Sequence, residues 1–228
     1  MKTQTFFLVA LIVLTGCVSS RKVSEAYQNR KVKFGAEVGA NTGGIVENTD
    51  LSKVEGAPLD GFTGATSMGF HAGGHAVIPV GRNDVQAGLS YFYSPQKFTY
   101  NDAVNGYFGT RKISLSQLVV PVTYNINLFK RRFDPGTLSL KLGGALEYNM
   151  PSISDEGSLL TDYSIKKISG GVALGISAMP FRFSDQSRLG VSFDVYKGTQ
   201  IFDDFYNLAE YEMPTSSYMK LSVIYQFK

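Results

Sequence analysis

KVKFGAEVGAN, residues 31–41, alternates apolar residues with charged residues or glycine almost to its end. Its apolar members fall on one face of an extended chain: Val32, Phe34, Ala36, Val38 and Ala40. The other face carries Lys33, Glu37 and glycine. Strict alternation with a period of two predicts a β-strand whose faces meet chemically different surroundings.

The same alternation recurs along the rest of the chain. The recurrences are residues 69–80, 85–93, 112–126, 138–150, 168–180, 188–196 and 218–228. Most of them have close to the roughly 9–11 residues that a tilted strand needs to cross a bilayer. The pattern therefore predicts an all-β fold with about eight antiparallel strands.

The stretch 112–126 interrupts its own pattern. Its apolar set changes parity near Gln117, and an extra residue in one strand has this effect, so we predict a β-bulge there. Pro121 lies in the same stretch and has no backbone N–H, so we expect a bulge or a locally unpaired site around it.

The predicted connections differ in length in a regular way. Long ones follow the odd-numbered strands, at residues 41–68, 94–111, 151–167 and 197–217. Shorter ones follow the even-numbered strands, at residues 81–84, 127–137 and 181–187. Alternating long and short connections are typical of up-and-down outer-membrane barrels, which have short turns in the periplasm and long loops outside.

The first residues, MKTQTFFLVALIVLTGC, place Lys2 before a short apolar run that ends in Leu-Thr-Gly-Cys. The run is too short for a transmembrane helix and predicts a signal peptide. Because Cys17 follows a lipoprotein-type motif, we predict a lipoprotein signal peptide at residues 1–16 and lipidation of Cys17. Residues 17–30 are then predicted to be a periplasmic tether, and residues 31–228 the barrel.

The two faces of the predicted strands indicate which side meets lipid. One face carries charges of both signs among glycines and serines, and such charges can pair across a narrow lumen. The other face holds Val, Leu, Ile and Phe almost without charge, with Phe and Tyr towards strand ends, as expected for lipid contact and aromatic girdles. We predict a transmembrane barrel with a side-chain-filled lumen, in which Glu37 and Lys220 meet where the first strand closes on the last.

The pattern resembles the PorT-like outer-membrane β-barrel family, small outer-membrane proteins of the Bacteroidota type. The telling local matches are SQLVVPVTYNI, residues 116–126, and the C-terminal MKLSVIYQFK, which resembles an outer-membrane insertion signal. The lipoprotein motif at Cys17 and the final Lys228 depart from the usual members. The resemblance implies an outer-membrane location and no catalytic residues.

Composition and motifs limit the functions that the protein can have. The net charge is +3, and no basic run is interleaved with aromatics, so we expect no nucleic-acid partner. His71 and His75 lie about 13 Å apart on a strand, too far to share a metal ion, so neither a metal nor a cofactor is expected. The expected partners are outer-membrane lipid and a protein or glycan that binds the loops. We expect the protein to be a monomer with a structural or recognition role, and not an enzyme.

Two other classes stay open. The first is a soluble, lipocalin-like lipoprotein that binds a hydrophobic ligand; it would usually carry a Gly-x-Trp motif and a C-terminal helix, and the chain has no Trp. The second is an enzyme acting at the outer rim of the barrel. Its candidate residues are His71 with Asp203 or Asp204, since a carboxylate and a histidine can together activate a water molecule.

Overall fold

A computed structural model of the chain describes residues 30–46, 59–62, 68–102, 107–128, 137–157, 164–203 and 213–227. These residues form nine strands and no helix: β1 (Lys33–Val46), β2 (Leu59–Phe62), β3 (Met68–Val80), β4 (Asn83–Asp102), β5 (Tyr107–Asn127), β6 (Leu138–Gly157), β7 (Ile168–Arg182), β8 (Arg188–Gln200) and β9 (Thr215–Gln226). No helix among the described residues is long and apolar enough to cross a membrane.

Eight of the strands close into an antiparallel barrel. The neighbours run in the order β4-β3-β1-β9-β8-β7-β6-β5, and β4 also pairs with β5, which completes the ring. The strands that are consecutive in the ring are also consecutive in the chain, apart from β2, so the topology is up-and-down. The short strand β2 pairs only with the end of β4. The predicted all-β barrel of about eight strands is confirmed.

Residues Lys31–Lys228 form one compact unit that contains the barrel. The predicted signal peptide, the tether up to residue 29 and the lipidation site Cys17 lie outside the described residues.

The side chains alternate along each strand as the sequence predicts. Val38, Leu146 and Leu221 lie on the outer surface with 59–63% of their area exposed. Their neighbours Glu37 and Lys220 point inward and are buried, at 6% and 8% exposure. The barrel is therefore apolar outside and polar inside, the reverse of an ordinary soluble protein.

Several strands run further than predicted at the end of the barrel that bears the long connections. The stretch 94–111, predicted as a loop, belongs largely to β4 and β5, which pair continuously from Ser90↔Val119 to Asp102↔Tyr107. β6 continues to Gly157 beside β5, and β1 continues to Val46. Strand pairing satisfies the backbone N–H and C=O groups whatever the side chains are. These residues can therefore form strands although their sequence alternates only weakly.

We call the sheet formed by residues 94–102, 107–116 and 150–157 the strand extension. It continues the pairing of β4, β5 and β6 at the long-connection end of the barrel, and β2 adds a further strand to its β4 side. The predicted connection at residues 41–68 is also partly strand, since β1 runs to Val46 and includes Gly43 and Gly44 at φ values of 115° and 137°.

The predicted bulge near Gln117 is wrong. β5 keeps one register with β6 through this region, and the register with β4 is the same on both sides of it. The apolar set changes parity because Ile113 and Leu115 point inward and are fully buried, whereas Leu118 and Val120 point outward. Around Pro121 the pairing with β4 is interrupted opposite residues 88–89, which agrees with the predicted unpaired site.

Candidate functional site

The lumen contains a cluster of four charged side chains, which we call the charged layer: Glu37, Lys141, Asp194 and Lys220. Lys220 Nζ lies 2.9 Å from Glu37 Oε1 and 3.7 Å from Asp194 Oδ2. Lys141 Nζ lies 2.8 Å from Asp194 Oδ1. The predicted contact between Glu37 and Lys220 is confirmed. Two cations and two carboxylates neutralise one another, as buried charges require.

A glycine on the strand between them allows the Lys141 side chain to contact Asp194. In the strand register, Lys141 of β6 stands opposite Gly175 of β7, which in turn stands opposite Asp194 of β8. The carboxylate of Asp194 occupies the space that a Cβ atom on Gly175 would need. The ion pair therefore crosses over β7 because that strand offers no side chain at this point.

The two histidines of β3 point into the lumen rather than to the rim. His71 is fully buried, stacks on Phe92 at a ring-centroid distance of 5.1 Å, and forms a 2.8 Å hydrogen bond between its Nε2 and Ser222 Oγ. His75 is also buried, at 8% exposure. Sequence reasoning missed the partnership of His71 with Ser222, because the two residues lie 151 positions apart.

The carboxylates that the enzyme hypothesis pairs with His71 do not form a described site with it. Asp203 is exposed, and its Oδ2 accepts a 3.2 Å hydrogen bond from Ser164 Oγ. Its own N–H donates to the carbonyl of Ser164 at 3.1 Å. Asp204 lies outside the described residues.

An aromatic cluster borders the charged layer. The rings of Phe92 and Tyr218 lie 4.9 Å apart, and those of Tyr196 and Tyr218 lie 4.6 Å apart. Val119 and Ala145 complete this buried cluster. The Lys220 ammonium stands 5.8 Å from the centroid of the Phe92 ring, within cation–π range, so the charged and aromatic groups pack directly together.

Hydroxyl and amide groups pair with two further buried polar side chains near this cluster, Glu147 and Asn149. Glu147 accepts hydrogen bonds from Ser169 Oγ at 2.7 Å and from Ser216 Oγ at 3.2 Å. Gln117 Nε2 donates to Asn149 Oδ1 at 2.7 Å. Because these partners come from β5, β6, β7 and β9, the network ties the barrel wall together across its lumen.

The long-connection end of the lumen is lined by apolar side chains that are almost fully buried: Ile45, Phe98, Ile113, Leu115, Ile201 and Phe202. Gln96 of β4 reaches β1 at this end. Its Oε1 accepts from the Ile45 N–H at 2.9 Å, and its Nε2 donates to the Ile45 carbonyl at 3.0 Å. One amide side chain therefore pairs with the backbone of β1 as a neighbouring strand would.

The cavity between the charged layer and the aromatic cluster is small. Its volume is about 30 Å³, and its lining includes Glu37, His75 and Lys141. That is room for about two water molecules. No group of three or more His, Cys, Asp or Glu side chains in the described ranges could hold a metal ion. The residues around this cavity thus offer packing and charge pairing, and the cavity itself has room only for water.

Comparison with protein-family models finds no match for this chain, and a search of curated proteins finds none either.

Proposed function

We propose that this protein is a small bacterial outer-membrane β-barrel of the PorT-like type. Its lumen is filled by side chains, it acts as a monomer, and its role is structural or recognition through its outer end. The observation that carries the proposal is the inverted distribution of side chains. Valine, leucine and phenylalanine cover the outer surface of the eight strands, while the charged layer lies inside.

The height of the apolar surface supports this proposal. On β6 the outward residues from Leu138 to Tyr148 carry no charge. At about 3.4 Å per residue and a strand tilt of about 40°, this stretch covers about 26 Å, close to the apolar band of outer-membrane barrels. A soluble barrel would expose this whole band to water, at a cost of about 25 cal/mol for each Å² of apolar surface.

Aromatic side chains mark both borders of the band. At one border Phe70 lies 6.2 Å from Tyr91 and 5.4 Å from Tyr93, measured between ring centroids. At the other border the rings of Tyr225 and Phe227 lie 5.2 Å apart. Rings at two levels are what a barrel needs at the two membrane interfaces, where an aromatic body meets lipid and a hydroxyl meets water.

The lipocalin-like alternative requires an apolar interior with space for a ligand. The charged layer and a cavity of about 30 Å³ argue against a hydrophobic ligand site there. The rim-enzyme alternative requires an accessible histidine, whereas His71 is fully buried. Both observations favour a structural or recognition role.

A lipidated Cys17 is compatible with the barrel in this proposal. With an even number of strands both chain ends lie on the same side of the membrane, so acyl chains on Cys17 would enter the leaflet beside the barrel wall. Each buried methylene adds about 0.8 kcal/mol, so the lipid would hold the N-terminus in place without replacing the barrel as the membrane attachment.

The experiment is gel mobility of the membrane-extracted protein in SDS, boiled against unboiled, combined with cell fractionation of a Cys17→Ala variant. The proposal expects faster migration without boiling and an outer-membrane location for the variant. Uniform mobility together with release of the variant into the soluble fraction would instead make the lipid the membrane attachment and favour the lipocalin-like reading.

A further inference from the structure

The last part of β6, residues 150–157, is paired on one side only. On that side it continues its ladder with β5 to the end of the strand. On the other side, the pairing of β6 with β7 ends at Tyr148↔Ile168. Just beyond, the Asn149 N–H donates to the Lys167 carbonyl at 2.8 Å. No described residue pairs with this side of β6 after Asn149, and we call it the β6 edge.

The chain that leads into β7 leaves the β6 edge because it pairs with residues that follow β8. Ile165 forms a β-bridge with Phe202. The Lys166 N–H donates to the Ile201 carbonyl at 2.7 Å. At this end the barrel wall therefore divides between the strand extension and the paired residues 164–166 and 201–203, and β6 borders the division.

Alternate residues of β6 direct their backbone groups towards the β6 edge. A strand residue directs its N–H and C=O to the same side, and the side changes at every residue. Because Asn149 directs its N–H away from β5, Ile153 and Asp155 do the same. Pro151 adds a carbonyl and has no N–H to lose, which is where a sheet tolerates proline. The β6 edge thus offers N–H donors at Ile153 and Asp155 and carbonyl acceptors at all three residues.

An exposed apolar side chain lies in the middle of the β6 edge. Ile153 stands opposite Ile113 in the register, and 42% of Ile153 is exposed whereas Ile113 is fully buried. On the same face, Arg111 donates to both carboxylate oxygens of Asp155 at 2.6 Å. An occupant of the β6 edge therefore meets backbone groups, an apolar side chain and a carboxylate that already has its cation.

A second copy of the barrel does not match this edge. Barrel strands tilt by about 40° from the membrane normal. A two-fold axis along the normal reverses the sense of the tilt at the contact, so the two β6 strands would cross at about 80° instead of lying side by side. An extended segment of a different protein carries no such constraint, because it can align with β6 along its length.

From this geometry we propose that the β6 edge, at residues 151–155, binds an extended segment of another protein by strand addition. The segment forms main-chain hydrogen bonds to Pro151, Ile153 and Asp155, and it places an apolar side chain against Ile153. The inference rests on the proposed recognition role and deepens it, because the long-connection end must face out of the membrane for a partner to reach the edge.

The test uses the full-length barrel folded in detergent, with a fluorescent peptide of alternating valine and threonine as the probe. Binding is read as fluorescence anisotropy, with empty detergent micelles as the blank. The same peptide with N-methyl groups on its central residues should bind at least about tenfold more weakly, because it loses hydrogen bonds to the edge. Equal binding of the two peptides would overturn the proposal, and this comparison needs only the wild-type barrel.

Three variants locate the site. Ile153→Pro removes an N–H that faces the β6 edge and leaves the ladder with β5 intact, so it should weaken binding about tenfold. Ile153→Ser keeps the backbone and removes the apolar contact, which should weaken binding about fivefold. Ser152→Ala changes a side chain on the opposite face and should bind like the wild type. The temperature at which the unboiled SDS band converts to the boiled one shows whether each variant is folded.

The remaining outcomes are also decisive. Unchanged binding by folded Ile153→Pro and Ile153→Ser would overturn the proposal. A wild-type barrel that is dimeric in light scattering, and monomeric as Ile153→Pro, would assign the edge to a second copy instead. Displacement of the peptide by a soluble polysaccharide would make this a glycan site. A protein whose mobility does not depend on heat would contradict the proposed function itself, whereas a heat-dependent barrel that does not bind the peptide would contradict only this inference.

Discussion

The pairing of Glu37 with Lys220 can be tested by a double-mutant cycle. Lys220 Nζ lies 2.9 Å from Glu37 Oε1 and 3.7 Å from Asp194 Oδ2, and all three side chains are buried. Lys220→Met keeps most of the volume of the side chain and removes its charge. Glu37→Gln keeps the shape of its side chain and removes the charge.

The expected losses follow from what each variant leaves behind. Lys220→Met leaves Glu37 buried without its cation, which should cost about 3–5 kcal/mol of unfolding free energy. Glu37→Gln should cost less, about 1–3 kcal/mol, because Lys220 retains Asp194. The double variant leaves Asp194 paired with Lys141 at 2.8 Å, so its loss should fall short of the sum by about 1–3 kcal/mol.

The assay is urea unfolding of the barrel in lipid vesicles, with linear extrapolation to water for all four proteins. Lys31→Met serves as the control, since Lys31 is exposed and should change stability by no more than about 0.5 kcal/mol. Losses that add within about 0.5 kcal/mol would refute a direct interaction between Glu37 and Lys220.

Three further substitutions test the other parts of the structure by the same unfolding assay. Gly175→Ala should destabilise by about 1–3 kcal/mol, because the Asp194 carboxylate occupies the position of the new Cβ. Leu221→Arg should cost about 2–4 kcal/mol in vesicles, since the 59% exposed Leu221 side chain would face the middle of the lipid. His71→Ala should cost about 2–4 kcal/mol, because it empties a fully buried position stacked on Phe92.

Matched comparisons make these outcomes decisive. Gly81→Ala, at a turn with open space around it, should show only the backbone strain of its φ of 58°, about 1 kcal/mol. If Leu221→Arg changes stability by less than about 0.5 kcal/mol, the outer surface meets water and the membrane proposal fails. His71→Ala with unchanged stability and loss of a lipid-modifying activity would favour the rim enzyme.

The eight barrel strands and the faces of their side chains were predictable from local pattern. In residues 31–41 the polarity of each side chain indicates the face of the strand on which it lies, because the pleat has a period of two. The partner of a charge was predictable in one case only. Glu37 and Lys220 were predicted to meet because the first and last strands of a closed barrel must pair. This makes the two strands neighbours even when the strand register is unknown.

The strand extension and the continuous register of β5 were not predictable in this way. Residues 94–102 alternate only weakly, and their pairing with residues 107–115 depends on the register of the whole hairpin. The apolar residues Ile113 and Leu115 misled the bulge prediction, because sequence alone does not tell that the lumen becomes apolar at this end.

The sequence by itself therefore determined the strand number, the two faces and the closure of the barrel, since these follow from alternation and from the need to pair every strand. The tertiary structure alone decided the contacts inside: Lys141 reaching Asp194 over Gly175, and His71 bonding Ser222. The physical reason is that barrel shear brings together side chains from distant strands at one height, and no local pattern records that height.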